Sequence, residues 1–156
     1  IEFEGLPAGA TYIVGDSFTD AGMTMVVERF QWSNGTWTDT GHAFVDKNQQ
    51  AGHAGQDLNL NNVNLRLRSE ACIGGLTLRF GEYGGNVNLD VNDDFRNVPN
   101  FMALNGLVVG GVTVQVTDLG GGKGRLQLIG EIKSVAFGGQ ELWVDHICHG
   151  ECQPAN

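Results

Sequence analysis

The sequence predicts an all-β fold, an antiparallel β-sandwich of about ten strands in two sheets. Three observations predict it. Apolar residues recur with period two along most of the chain, turn residues interrupt these runs at roughly 8–14-residue spacing, and no window carries a helical period. The 24 glycines follow no Gly-x-y repeat, so they read as tight turns rather than as collagen.

The strands follow in order. Residues 24–32 and 37–45 flank Ser33-Asn34-Gly35, a hairpin turn because Asn-Gly readily takes positive φ. Leu58 and Leu60, then Val63, Leu65 and Leu67, alternate with a phase slip at Asn61-Asn62, which reads as a bulge. Further runs are Leu76, Leu78, Phe80; Val87, Leu89, Val91; and Val112, Val114, Val116. Leu126, Leu128 and Ile132 follow a glycine-rich turn at 120–124, and residues 142–147 form the final strand, leaving 147–156 as a C-terminal tail. Residues 95–104 hold at most one short helical turn. With no linker or composition break, 1–156 reads as a single domain. Its start, Ile1-Glu2-Phe3-Glu4-Gly5, reads as a strand, so the sequence looks like a mature or excised domain.

Composition narrows the function. A net charge of −9, with nine Lys plus Arg, provides no basic face to displace counterions, so a nucleic-acid partner is not expected. No apolar run is long enough for membrane insertion. Acidic surplus suits cation binding, and equally suits plain solubility. Three cysteines, Cys72, Cys148 and Cys152, allow one disulfide and one free thiol, with Cys72 joined to either of the other two. The C-terminal Cys pair and the Asn/Gly/Thr-rich turns suit an oxidising compartment, so the expected location is secreted or extracellular.

The two ends carry a resemblance. Phe3-Glu4-Gly5 near the start and Leu142-Trp143-Val144-Asp145-His146-Ile147 near the end resemble the carbohydrate-binding-module jelly rolls of the galactose-binding-like superfamily. The resemblance implies a sandwich of jelly-roll type with its first and last strands side by side. It also implies a structural calcium held by Glu4 and Asp145, with Asp16 or Asp20 and loop carbonyls completing the shell. Calcium takes six to eight hard oxygens, which carboxylates and carbonyls supply. His146 stands where such strands often carry a second Asp, which lowers the carboxylate count.

Other constellations compete. Asp90-Val91-Asn92-Asp93-Asp94 imitates the start of an EF-hand loop, but Phe95 and Phe101 replace the required Gly and Glu, so it reads as a polar hairpin turn. His146, Cys148, His149 and Cys152 offer zinc or copper ligands, against which stands a disulfide using one of those cysteines. For a sugar, rings stack on the apolar face while amides bind hydroxyls; Trp32, Trp37, Tyr83 and Asn86 are the candidate ligand-binding residues, with Trp143, Gln31, Asn34 and Asn88 beside them. For hydrolysis, two carboxylates must face each other across a cleft, and Glu82 and Glu141 sit in glycine-framed turns. Gly120-Gly121-Gly122-Lys123-Gly124 lacks the phosphate-loop spacing. Asn34-Gly35-Thr36 is formally a glycosylation acceptor.

The leading expectation is therefore an extracellular, non-catalytic carbohydrate-binding module with a structural calcium site and a polysaccharide or glycan partner. The alternatives are a small secreted glycoside hydrolase or lyase, and a structural or adhesive domain of a larger surface protein.

Overall fold

The computed structural model describes residues 1–152 as two packed antiparallel sheets, a β-sandwich of jelly-roll type. Strands are numbered in chain order. From edge to edge the eight-stranded sheet runs β1 (Thr11–Ile13), β5 (His42–Asp46), β6 (Asp57–Asn61), β15 (Leu142–Glu151), β8 (Ile73–Glu82), β13 (Lys123–Ile129), β12 (Val112–Gly120) and β11 (Val108–Val109). The seven-stranded sheet runs β10 (Asp94–Val98), β9 (Val87–Val91), β14 (Val135–Gly139), β7 (Val63–Arg68), β3 (Met23–Gln31) and β2 (Ser17–Asp20), with β4 (Trp37–Thr38) paired to β3.

Period-two patterning explains the core. On β7, Val63, Leu65 and Leu67 turn inward; on β14, Val135 and Phe137 do; on β13, Leu126 and Leu128 do. They join Leu58, Leu60, Leu78, Val114 and Val144 in one hydrophobic cluster between the sheets. Truncating a fully buried member such as Leu65 or Phe137 would cost about 2–5 kcal/mol.

Several sequence expectations change in three dimensions. The slip at Asn61-Asn62 is not a bulge: Asn62 takes φ 55°, and the chain passes there from β6 in one sheet to β7 in the other. That crossing turns Leu58 and Leu60 inward from one sheet and Val63, Leu65 and Leu67 inward from the other, so both runs are buried without sharing a strand. Residues 37–45 likewise divide, because Gly41 presses against the carbonyls of Asn61 and Asn62, leaving β4 with β3 and β5 in the other sheet. The first regular strand is β1, not residues 1–5. Those residues form an irregular lead-in, with Phe3 fully buried at φ 61°. Ile1 and Ile147 nevertheless exchange both backbone hydrogen bonds, bringing the two ends together. Half of the expected tail is strand: β15 continues to Glu151, pairing Cys148 with Thr77 and Glu151 with Ile73. Residues 153–156 of that tail lie outside the described residues. Within 95–104, Phe95 to Val98 belong to β10, and a 3₁₀ turn spans Phe101–Leu104. A disulfide joins Cys72 to Cys152, leaving Cys148 a free, exposed thiol. No helix among the described residues is long and apolar enough to cross a membrane.

Candidate functional site

A groove of about 450 Å³ opens on the outer face of the seven-stranded sheet. Strand register builds it. Val26, Arg66, Ala136, Asp90 and Phe95 are cross-strand partners in sequence across β3, β7, β14, β9 and β10, forming one rank of side chains on that face. The next rank is Glu28, Asn64, Gly138, Asn88 and Asn97. The small residues Ala136 and Gly138 of the middle strand lower the floor between taller neighbours. Asn64 lies across Gly138, where a Cβ would collide with it.

Charge and aromatic surface meet in this groove. Arg66 Nε donates to Glu28 Oε1 (2.8 Å), its Nη2 to Asp90 Oδ2 (2.9 Å), and its Nη1 to Ser134 Oγ. Burial works against the guanidinium charge, but the bonds to Asp90 and Glu28 outweigh it and raise the Arg66 pKa. Trp37, 39% exposed, stands over the rim with Phe95 at 5.2 Å between ring centroids and the Arg29 guanidinium 4.9 Å from its ring. Two groove-lining acceptors, Asp90 Oδ1 and Asn64 Oδ1, are buried without a hydrogen-bond partner among the described residues. Such atoms cost free energy, and with no surface open to solvent they shape the floor of the groove without being points of ligand contact.

Of the aromatic and amide candidates, only Trp37 is offered to this groove. Trp32 is half-buried and donates Nε1–H to Asn62 Oδ1 (3.1 Å). Tyr83 donates its hydroxyl to the Gln50 carbonyl (2.6 Å) and packs edge-on against Trp143, whose Nε1–H reaches Asp46. Asn86 is buried, donating to the Gln31 carbonyl and to Asn97 Oδ1. Asn88 accepts from the Gln31 amide and donates to its carbonyl (2.9 and 3.0 Å), while Asn97 donates to the Trp32 carbonyl (2.9 Å). These amides hold the hairpin that carries Trp37, and at its exposed tip Asn34 Oδ1 accepts from the Thr36 amide.

The expected calcium ligands do not converge. Glu4 Oε1 accepts from the Gln56 amide, Asp20 Oδ2 from the Phe3 amide (2.9 Å), and Asp16 Oδ2 from the Ile13 amide in an exposed turn (2.9 Å). Asp145 Oδ1 accepts from the His146 amide (2.7 Å). No three of these four carboxylates lie together as ligands among the described residues. The arrangement does not fit calcium, because each carboxylate faces a separate backbone amide instead of a common centre.

What gathers at the chain ends is a different set: Glu2, His53 and His146, with Asp145 beneath them. Glu2 Oε1 lies 2.5 Å from His146 Nδ1, and Glu2 Oε2 lies 3.4 Å from His53 Nδ1. The imidazoles stack at 4.2 Å, inclined by 12°. Asp145 is fully buried, and burial pushes its carboxyl up to about 6, moderated by the His146 amide and by His53. His53 is presented by a loop whose Gln50 and Ala51 amides bind buried Asp57 Oδ2 (2.7 and 3.3 Å), with left-handed Gly52 and Gly55 on either side. Sequence spacing noted His53 among the histidines but grouped His146 with Cys148, His149 and Cys152 instead of with His53 and Glu2, since no local motif links residues 53 and 146. The local cluster read as a soft-metal site dissolves: Cys152 is in the disulfide, and His149 takes no part in the group.

The hydrolytic pair lies on neighbouring chain segments but lines two different hollows. Glu82 lines one hollow beside Asp118 and Lys123, and accepts from the Phe101 amide (3.1 Å). Glu141 lines another, with Asn59 and Trp143. Burial raises the Glu82 pKa, partly countered by the Phe101 amide. The segment Asp90 to Asp94 is the expected hairpin, with Asn92 and Asp93 at φ 51° and 66°.

Comparison with protein-family models, with curated proteins and with solved structures finds no match for this chain in any of the three.

Proposed function

We propose that this chain is a non-catalytic glycan-binding module of an extracellular protein, with the groove on the seven-stranded sheet as its ligand site. The observation that carries this reading is the combination in one groove of an exposed Trp37–Phe95 wall and a floor of fixed polar groups. A pyranose ring presents an apolar C–H face and a rim of hydroxyls. The first stacks on Trp37; the second meets the polar lining that Glu28, Arg66, Asp90 and Asn64 provide. Paired strands hold these groups in place, so little ordering is needed on binding. The Cys72–Cys152 disulfide is compatible with an oxidising location. Glu82 and Glu141 line different hollows and do not face each other across one cleft, which favours binding over hydrolysis.

The test is retention on a panel of insoluble and soluble polysaccharides, by pull-down and affinity electrophoresis, with reducing ends assayed in parallel. Wild type is expected to bind at least one polysaccharide, and Trp37→Ala to weaken that binding at least ~10-fold, the scale of one lost stacking platform. Empty panels, or a Trp37→Ala protein that binds as wild type, would overturn the reading. Release of new reducing ends would overturn its non-catalytic part.

A further inference from the structure

We propose that the clasp at the chain ends is a binding site for a zinc-class divalent ion, held by Glu2, His53 and His146, with Asp145 beside His53. This is independent of the groove and differs in ligand chemistry from the calcium site that the terminal motifs imply.

The distances suit it. Zinc holds imidazole nitrogen and carboxylate oxygen at about 2.0–2.2 Å, so ligand atoms of a tetrahedral site stand roughly 3.3–3.5 Å apart. His53 Nδ1 lies 3.4 Å from Glu2 Oε2 and 3.4 Å from Asp145 Oδ2. His146 Nδ1 is hydrogen-bonded to Glu2 Oε1 at 2.5 Å, a contact that must open by about 1 Å for both atoms to face the ion. Glu2, His53 and His146 each offer a ligand atom within 4.8 Å of the others.

A second observation points to an ion. Asp145 Oδ2 and His53 Nδ1 are both buried without a hydrogen-bond partner among the described residues, although they face each other. Asp145 is 0% exposed, so bulk solvent does not reach it. A divalent cation would balance the Glu2 and Asp145 charges and satisfy both orphan atoms, leaving the cluster neutral.

Backbone geometry serves the same centre. Neighbours on a regular strand point to opposite faces, yet Asp145 and His146 both face the clasp. They do so because β15 breaks register between Asp145 and Cys148, with His146 held at φ 49°, an unfavourable conformation for a non-glycine residue. The other ring nitrogen of His146 lies 3.7 Å from Cys148 Sγ, a partner for the ring proton once Nδ1, now bonded to Glu2, takes metal. Two imidazoles in the donor set favour zinc-class ions over calcium, which wants oxygen throughout.

The experiment uses tag-free protein stripped with EDTA and titrated with zinc by calorimetry, with the melting temperature followed in parallel. Cobalt(II) substitution reports geometry through its visible spectrum. Wild type is expected to take one zinc per chain, to melt higher with it, and to give the intense bands of tetrahedral cobalt. His53→Ala, a loop substitution, should weaken zinc at least ~100-fold, since even outer-shell changes cost about 10–100-fold. His146→Gln should do the same, and Cys148→Ser should retain binding. No stoichiometric zinc in wild type, undiminished affinity in both histidine variants, or displacement of zinc by equimolar calcium would each overturn the proposal.

Discussion

In the groove, Glu28, Asn64, Arg66, Asp90 and Phe95 ride on strands paired along their length, and their relative positions follow from sheet register. At the clasp, Glu2 belongs to an irregular lead-in, His53 to a loop, and His146 to a register break, so nothing local relates them. Groove residues are therefore displayed by a scaffold that folds without them, whereas clasp residues are part of how the chain ends are closed. Substitutions should divide accordingly between affinity and stability.

The largest effect is expected at the foot of the clasp. Asp57→Ala would leave the Gln50 and Ala51 amides without their acceptor, costing about 3 kcal/mol in urea denaturation, and would loosen the loop that presents His53. If stability falls while zinc affinity stays, the loop is not what positions His53, and the contrast breaks.

Next comes the amide cluster between the groove and the hairpin. Asn88→Ala removes two hydrogen bonds to Gln31 and one from Asn64, all at a buried position, for about 2 kcal/mol. Because that hairpin carries Trp37, polysaccharide binding should weaken as well. Stability lost with affinity intact would show the hairpin to be held by other contacts.

Trp37→Ala sharpens the comparison from the other side. The ring is partly exposed and outside the core cluster, so its loss should change stability by less than about 1 kcal/mol while affinity drops. Zinc binding should not move.

Glu82→Gln should give the smallest effect and a pH signature. Burial raises the folded-state pKa of Glu82 above its ordinary 4.5, so between those two values the folded chain holds the proton more tightly than the unfolded chain. Stability linked to this group thus falls as pH rises through that window. The amide of Gln still accepts from Phe101 but carries no charge. The variant should match wild type near pH ~4 and melt slightly higher at pH ~7, by a few degrees at most. A variant less stable at the higher pH would mean that the carboxylate bond to Phe101 outweighs the burial cost.

Much of the strand layout was legible in the residues. The runs at 76–80, 87–91 and 112–116, and the turns at Asn34-Gly35 and 120–124, fall where alternation and turn chemistry place them. The phase slip at Asn62 was visible too, but its meaning was not. A sheet-to-sheet crossing and a bulge both reverse the alternation, and only the pairing partners distinguish them. Trp37 was legible as a candidate because it flanks a turn. Arg66 was not, since a charged residue alternating with apolar ones reads simply as solvent-facing, and Asp90 stood out only as the start of a stretch resembling a calcium loop.

By itself the sequence determined the all-β class, the acidic balance, and the inward set of each strand, because side-chain direction has period two and is a local property. It left the disulfide partner of Cys72 open between two cysteines. Tertiary structure alone decided which strands neighbour one another, and with that the rank from Val26 to Phe95 and the meeting of Glu2 and His53 with Asp145 and His146. The physical reason is that pairing joins segments far apart in the chain. Their register depends on the closure of every intervening turn, which no local pattern encodes.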